Sequence, residues 1–136
     1  MSQAAGVRWG WLQVTYIVTV LVAGTFGLAM VLGPELVTSR LHTSCDVVPY
    51  GTLGSIWLGM GVVAILGLRD PLKFVPLLLV QLIYKVVWFA SIFVPLWMTG
   101  RFPAAHAITT VLFGVVVVGD LIAIPFRYVF AKPSPT

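Results

Sequence analysis

From Phe74 to Met98 the only charged residue is Lys85. Crossing a bilayer as a helix takes ~20 mostly apolar residues, and four stretches of this chain meet that requirement. They run over about 11–32, 51–68, 72–98 and 104–126. Only 9% of the residues are charged and 60% are hydrophobic, whereas a soluble domain averages about 25% charged. So little charge could not keep a water-facing surface dissolved, and lipid is the solvent that fits. The expected fold is all-α: an antiparallel transmembrane four-helix bundle, built as a single domain over residues 1–136.

The punctuation supports four separate spans. Gly33-Pro34 stops the first. Leu12–Leu32 is longer than the apolar region of a signal peptide, and no small-x-small cleavage pattern follows, so it is expected to remain as an uncleaved span. Between spans two and three lies GLRDPLK. There Gly67 can end one helix, Asp70 can cap the next and Pro71 suits its first position, which predicts a tight hairpin. Pro76 and Pro95 are expected to bend the third helix near its ends, and Pro125 to disturb the last turn of the fourth.

Charge sets the expected direction. Arg8, Arg69, Lys73, Arg127 and Lys132 fall on one side of a four-span protein, Arg40 and Arg101 on the other. The excess of lysine and arginine places both termini in the cytoplasm. The net charge of +4 is scattered, so no basic run suggests a nucleic-acid site. A single cysteine, Cys45, excludes an intrachain disulfide.

Two ionisable residues lie inside spans, Lys85 and Asp120. Each costs roughly 2.5–3.5 kcal/mol at a helix centre, so neither is expected to face lipid, and the simplest arrangement is that they meet. Gln81, Tyr84, Lys85 and Trp88 share one face at i, i+3, i+4, i+7 spacing. His106, Thr109, Phe113, Asp120 and Arg127 form a second stripe on the fourth span. Gln81 and Tyr84 can supply the further hydrogen bonds a buried pair needs, and Arg127 is an alternative partner for Asp120. Such a pair either fixes helix register or forms part of a proton or ion relay.

Small residues mark close helix contacts in lipid. Ala23/Gly27, Ser55/Gly59 and Thr110/Gly114 have small-xxx-small spacing. His42, Cys45, Asp46 and His106 are of metal-ligating type, but their spacing matches no strong pattern and they are weak candidates. There is no glycine-rich phosphate loop, nucleophile elbow or HExxH motif, so no cofactor is expected.

GLRDPLKFVPLLLVQLIYKVVWF followed by GDLIAIPFRYVF resembles a family of small, uncharacterised bacterial four-span membrane proteins. The likeness covers roughly residues 50–130 and is carried by Arg69, Pro71, Lys73, Pro76, Gln81, Tyr84, Lys85, Trp88, Gly119, Asp120 and Pro125. It implies the fold but no activity. A looser similarity is to DoxX-like four-span proteins. In size the chain also resembles small multidrug resistance transporters, which rely on a glutamate in the first span; this first span has no acidic residue.

The leading functional expectation is a non-catalytic membrane subunit or accessory protein that packs against partner helices or itself. The alternative is a small carrier for protons, ions or a lipophilic solute that uses the Lys85–Asp120 centre. A weaker one is a redox or lipid-modifying enzyme.

Overall fold

The computed structural model describes residues 7–35 and 46–131. Four of its helices are long and apolar enough to cross a membrane: α1 (Trp9–Leu32), α2 (Val47–Arg69), α3 (Val75–Met98) and α4 (Ala104–Ala123). A one-turn helix, α5 (Phe126–Val129), follows. No strand occurs among the described residues. The protein is an all-helical, multi-pass membrane protein by length and composition of its helices.

Helix boundaries follow local chemistry, with some differences from expectation. α2 starts earlier than its apolar run, at Val47, because the Asp46 carboxylate accepts a hydrogen bond from the Val48 amide at 3.2 Å. That bond satisfies one of the helix's free N–H groups. Asp70 closes α2 rather than capping α3: its amide donates to the Leu66 carbonyl. α3 then begins at Val75, which puts Pro76 in the first turn. A missing N–H costs nothing there, so Pro76 starts the helix instead of bending it.

Pro95 cannot donate to the turn before it, and a π-helical turn over Phe89–Phe93 precedes it. Widening the helix by one residue re-arranges the carbonyls that the proline leaves unpaired. A second π turn spans Val20–Gly24 in α1. α3 ends on Gly100 at φ +65°, where the Arg101 amide donates to Leu96 and the Gly100 amide to Trp97. This pair of bonds is a Schellman cap, and glycine adopts its left-handed turn without strain. α4 stops at Ala123 because Pro125 forces Ile124 into extended backbone.

α1 and α2 lie in intimate contact. A Cβ added to Gly27 would stand 2.3 Å from the Leu58 amide nitrogen, and one on Gly61 would stand 2.5 Å from the Gly24 Cα. Gly67 lies under the Tyr16 ring and Gly54 under Met30. Residue numbers therefore rise along α1 as they fall along α2. Without a hydrophobic drive between helices in lipid, such close approach is the main source of attraction.

α1 and α2 stay in contact along their length, whereas α3 and α4 are buried against the bundle mainly toward one end. Leu12, Tyr16, Ala64, Val75, Leu78, Leu82, Ala123 and Ile124 form one buried cluster where α1 and α3 begin and α2 and α4 end. The Tyr16 hydroxyl ties that end together by donating to the Pro71 carbonyl at 2.8 Å. At the other end no residue of Phe89–Phe93, Val94–Met98 or Ala104–His106 is buried. There Phe89, Phe93, Leu96 and His106 are no more than half-buried.

Candidate functional site: a polar centre below an aromatic layer

Helix α3 aims Gln81, Tyr84, Lys85 and Trp88 at the bundle axis. Gln81 and Lys85 are buried, Tyr84 and Trp88 half-buried. From α4, Asp120 is 0% exposed, and Lys85 is only 3% exposed. Both intramembrane charges thus point inward, as their cost in lipid requires.

They do not bond to each other. Asp120 accepts from Gln81 Nε2 at 3.2 Å to Oδ1 and 3.1 Å to Oδ2. Lys85 Nζ instead donates to the Tyr84 hydroxyl at 2.8 Å. It also lies 4.3 Å from the Tyr84 ring centroid and 5.4 Å from that of Phe113, within the range where a ring face attracts a cation. The reason is depth. Asp120 is three residues from the end of α4, roughly 5 Å in, whereas Lys85 is ten residues into α3, roughly 15 Å in. Gln81 is one turn nearer, and its fixed amide reaches the carboxylate.

A carboxylate only accepts, so it holds the amide with Nε2 toward α4 and Oε1 toward α1. There the Thr19 hydroxyl lies 3.2 Å from Gln81 Oε1 and 2.9 Å from the Thr15 carbonyl. Its single proton serves one or the other. A chain of polar contacts therefore crosses the bundle from α1 through α3 to α4. Among the described residues every buried side-chain nitrogen and oxygen has a partner. Beside this chain is a cavity of about 10 Å³ lined by Thr19, Gln81, Tyr84, Lys85 and Phe113 among others, room for about one water.

Phe113 is the hub above it. Its ring centroid is 5.1 Å from Trp88, 5.8 Å from Trp57 and 6.2 Å from Tyr84. Phe26 reaches Trp57 from α1 at 6.5 Å. All four spans contribute a ring to this layer. Beyond it, toward the splayed end, lies a second cavity of about 160 Å³.

The remaining sequence candidates fall out as follows. Ala23 and Gly27 are buried against α2. Ser55 and Gly59 are exposed, and a Cβ on Gly59 would meet nothing within 4 Å. The contact face of α2 is Gly54, Gly61 and Gly67 instead, where glycine spacing lets α1 approach more closely than Ser55 could. A Cβ added to Gly114 would stand 3.9 Å from the Phe89 ring, while the Thr110 hydroxyl bonds its own helix at the His106 carbonyl. Arg127 is exposed on α5, past the proline break, and does not serve Asp120. Asp46 is a helix cap, His106 lines the larger cavity, and His42 and Cys45 lie outside the described residues. Among the described residues no three histidine, cysteine or acidic side chains gather at one point.

Thr15, Tyr16 and Thr19 did not figure as sequence candidates. The available signal was that three of the four hydroxyls of the first span share a face with Leu12 and Ala23. Trp57 was also missed, since a lone tryptophan in a span carries no periodicity of its own.

Comparison with protein families, with curated proteins and with solved structures gives no match to this chain. The reading of the site therefore rests on its geometry.

Proposed function

We propose that this chain is a non-catalytic membrane protein that works by packing, as a subunit or accessory protein, against partner helices or a second copy of itself. The proposed setting is a bacterial cytoplasmic membrane with both termini inside, in keeping with the lysine and arginine bias. The observation that carries this reading is the thin cover over the outer ends of α3 and α4. From Phe89 to Met98 and from Ala104 to His106 nothing is buried within the chain. The exposed Ser55 and Gly59 on α2 add a small-residue face of the kind that lets a neighbouring helix come close. The polar centre supports a structural role: its buried groups already have partners, which suits a pin between helices better than an open relay. Gentle extraction in mild detergent followed by mass measurement tests the proposal. A stable larger assembly is expected, and a lone monomer throughout would overturn it.

A second reading, a small carrier using the Lys85, Gln81 and Asp120 centre, is favoured by the two cavities on either side of Phe113. It requires solute or proton flux in liposomes that Asp120→Asn abolishes. Equal flux in the variant would remove it.

A further inference from the structure

We propose that the larger cavity binds the head of a lipophile that carries one six-membered ring and a hydrogen-bonding substituent, such as a substituted phenol. This goes beyond the assembly reading and holds whether or not the protein assembles. The size of the cavity, its lining and its position each bear on the assignment.

Its volume is about 160 Å³, close to the roughly 150 Å³ of an apolar protein cavity that takes up benzene. Pockets for drug-sized molecules run to roughly 300–1,000 Å³, so a whole multi-ring ligand does not fit. A single ring does, with any tail left in the surrounding lipid.

The lining is graded. Trp57, Leu112 and Phe113 form the inner wall, and Phe26, Met30 and Leu53 the sides. Flat aromatic walls receive a ring edge-to-face or offset-stacked. His106 and Thr109 also line the cavity, and among the described residues neither side chain has a hydrogen-bond partner. Both are half-buried, and a purely apolar guest would give neither a hydrogen bond. A hydroxyl on the ring would satisfy one of them.

His106 precedes the α-helical part of α4, so the polar end of the cavity lies toward the splayed face of the bundle. From His106 to Phe113 is seven residues, about 10 Å along the helix, a depth suited to one ring entered end-on. The inner wall is shared: Trp57, Leu112 and Phe113 also line the small cavity beside Lys85. An occupant would sit one aromatic layer from the charged centre.

The test uses the full chain in phosphatidylcholine nanodiscs with 4-fluorophenol and fluorobenzene, read by fluorine NMR. A bound resonance that saturates with ligand is expected, distinct from the line of ligand dissolved in lipid. The phenol should bind about two- to tenfold more tightly than fluorobenzene, the yield of one hydrogen bond. The pair His106→Phe with Thr109→Val should erase that preference. Leu53→Trp and, separately, Thr109→Trp fill the cavity and should abolish the bound resonance; helicity and gel filtration identify which variant is folded. No saturable resonance, or one that persists in a folded filled variant, would overturn the site. Equal affinity for the two ligands in the unaltered protein would overturn its hydrogen-bonding half.

Discussion

Gln81 links Asp120 on the fourth span to Thr19 on the first, and its amide is the group on which the polar centre turns. Its Nε2 serves Asp120 and its Oε1 faces Thr19. Replacing it with leucine strands a buried carboxylate, which costs about 1–3 kcal/mol and more for a charged acceptor. Gln81→Leu is therefore expected to lower the unfolding midpoint in a denaturing-detergent titration by that order. The double variant Gln81→Leu/Asp120→Leu should recover much of the loss, since both partners are then apolar. Had Lys85 been the main partner of Asp120, Gln81→Leu would be nearly neutral in the same titration. Arg127→Gln serves as the contrast: an exposed side chain away from the centre should change stability by no more than about 0.5 kcal/mol. The stripe Gln81, Tyr84, Lys85, Trp88 was readable from spacing alone. Which of its members touches Asp120 was not, because that depends on the axial offset of α3 against α4, a quantity no single helix carries.

At the scale of elements, the contact of α1 with α2 shows how the position of a missing side chain matters more than its count. Gly27 and Gly59 are both helical glycines in membrane spans. An alanine at 27 would place its Cβ 2.3 Å from backbone, whereas one at 59 meets nothing within 4 Å. Gly27→Ala is expected to push the helices apart at a cost of about 1–3 kcal/mol. Gly59→Ala should be neutral or stabilising by up to about 1 kcal/mol through helix propensity. Thermal unfolding of the two variants side by side checks this; equal effects would mean that α2 turns a different face to α1. The tether at the tight end makes a similar case. Tyr16→Phe leaves the Pro71 carbonyl without its partner and should cost about 1–3 kcal/mol, read as faster hydrogen exchange in the α2–α3 connection. Small-xxx-small spacing marks both Gly27, which lies against α2, and Ser55/Gly59, which face away from α1, since the same spacing recurs on every face of a glycine-rich helix.

The whole molecule is a bundle pinned by all four spans at one end and loosened in α3 and α4 at the other, with a ring layer between. The proposed orientation puts the pinned end toward the cytoplasm. In a Cys45→Ser background, Thr99→Cys is expected to react with a membrane-impermeant maleimide on intact cells, and Ser2→Cys only after permeabilisation. The reverse pattern would invert the topology. Four spans and the inward aim of Lys85 and Asp120 followed from the sequence by itself, because the free energy of placing a residue in lipid is largely its own and sums along the chain. The glycine face that α1 uses, the choice of Gln81 rather than Lys85 as the partner of Asp120 and the cavity beneath His106 were decided only by the tertiary structure. Each depends on how one helix is rotated and shifted against another, and that is settled by packing between residues far apart in the chain.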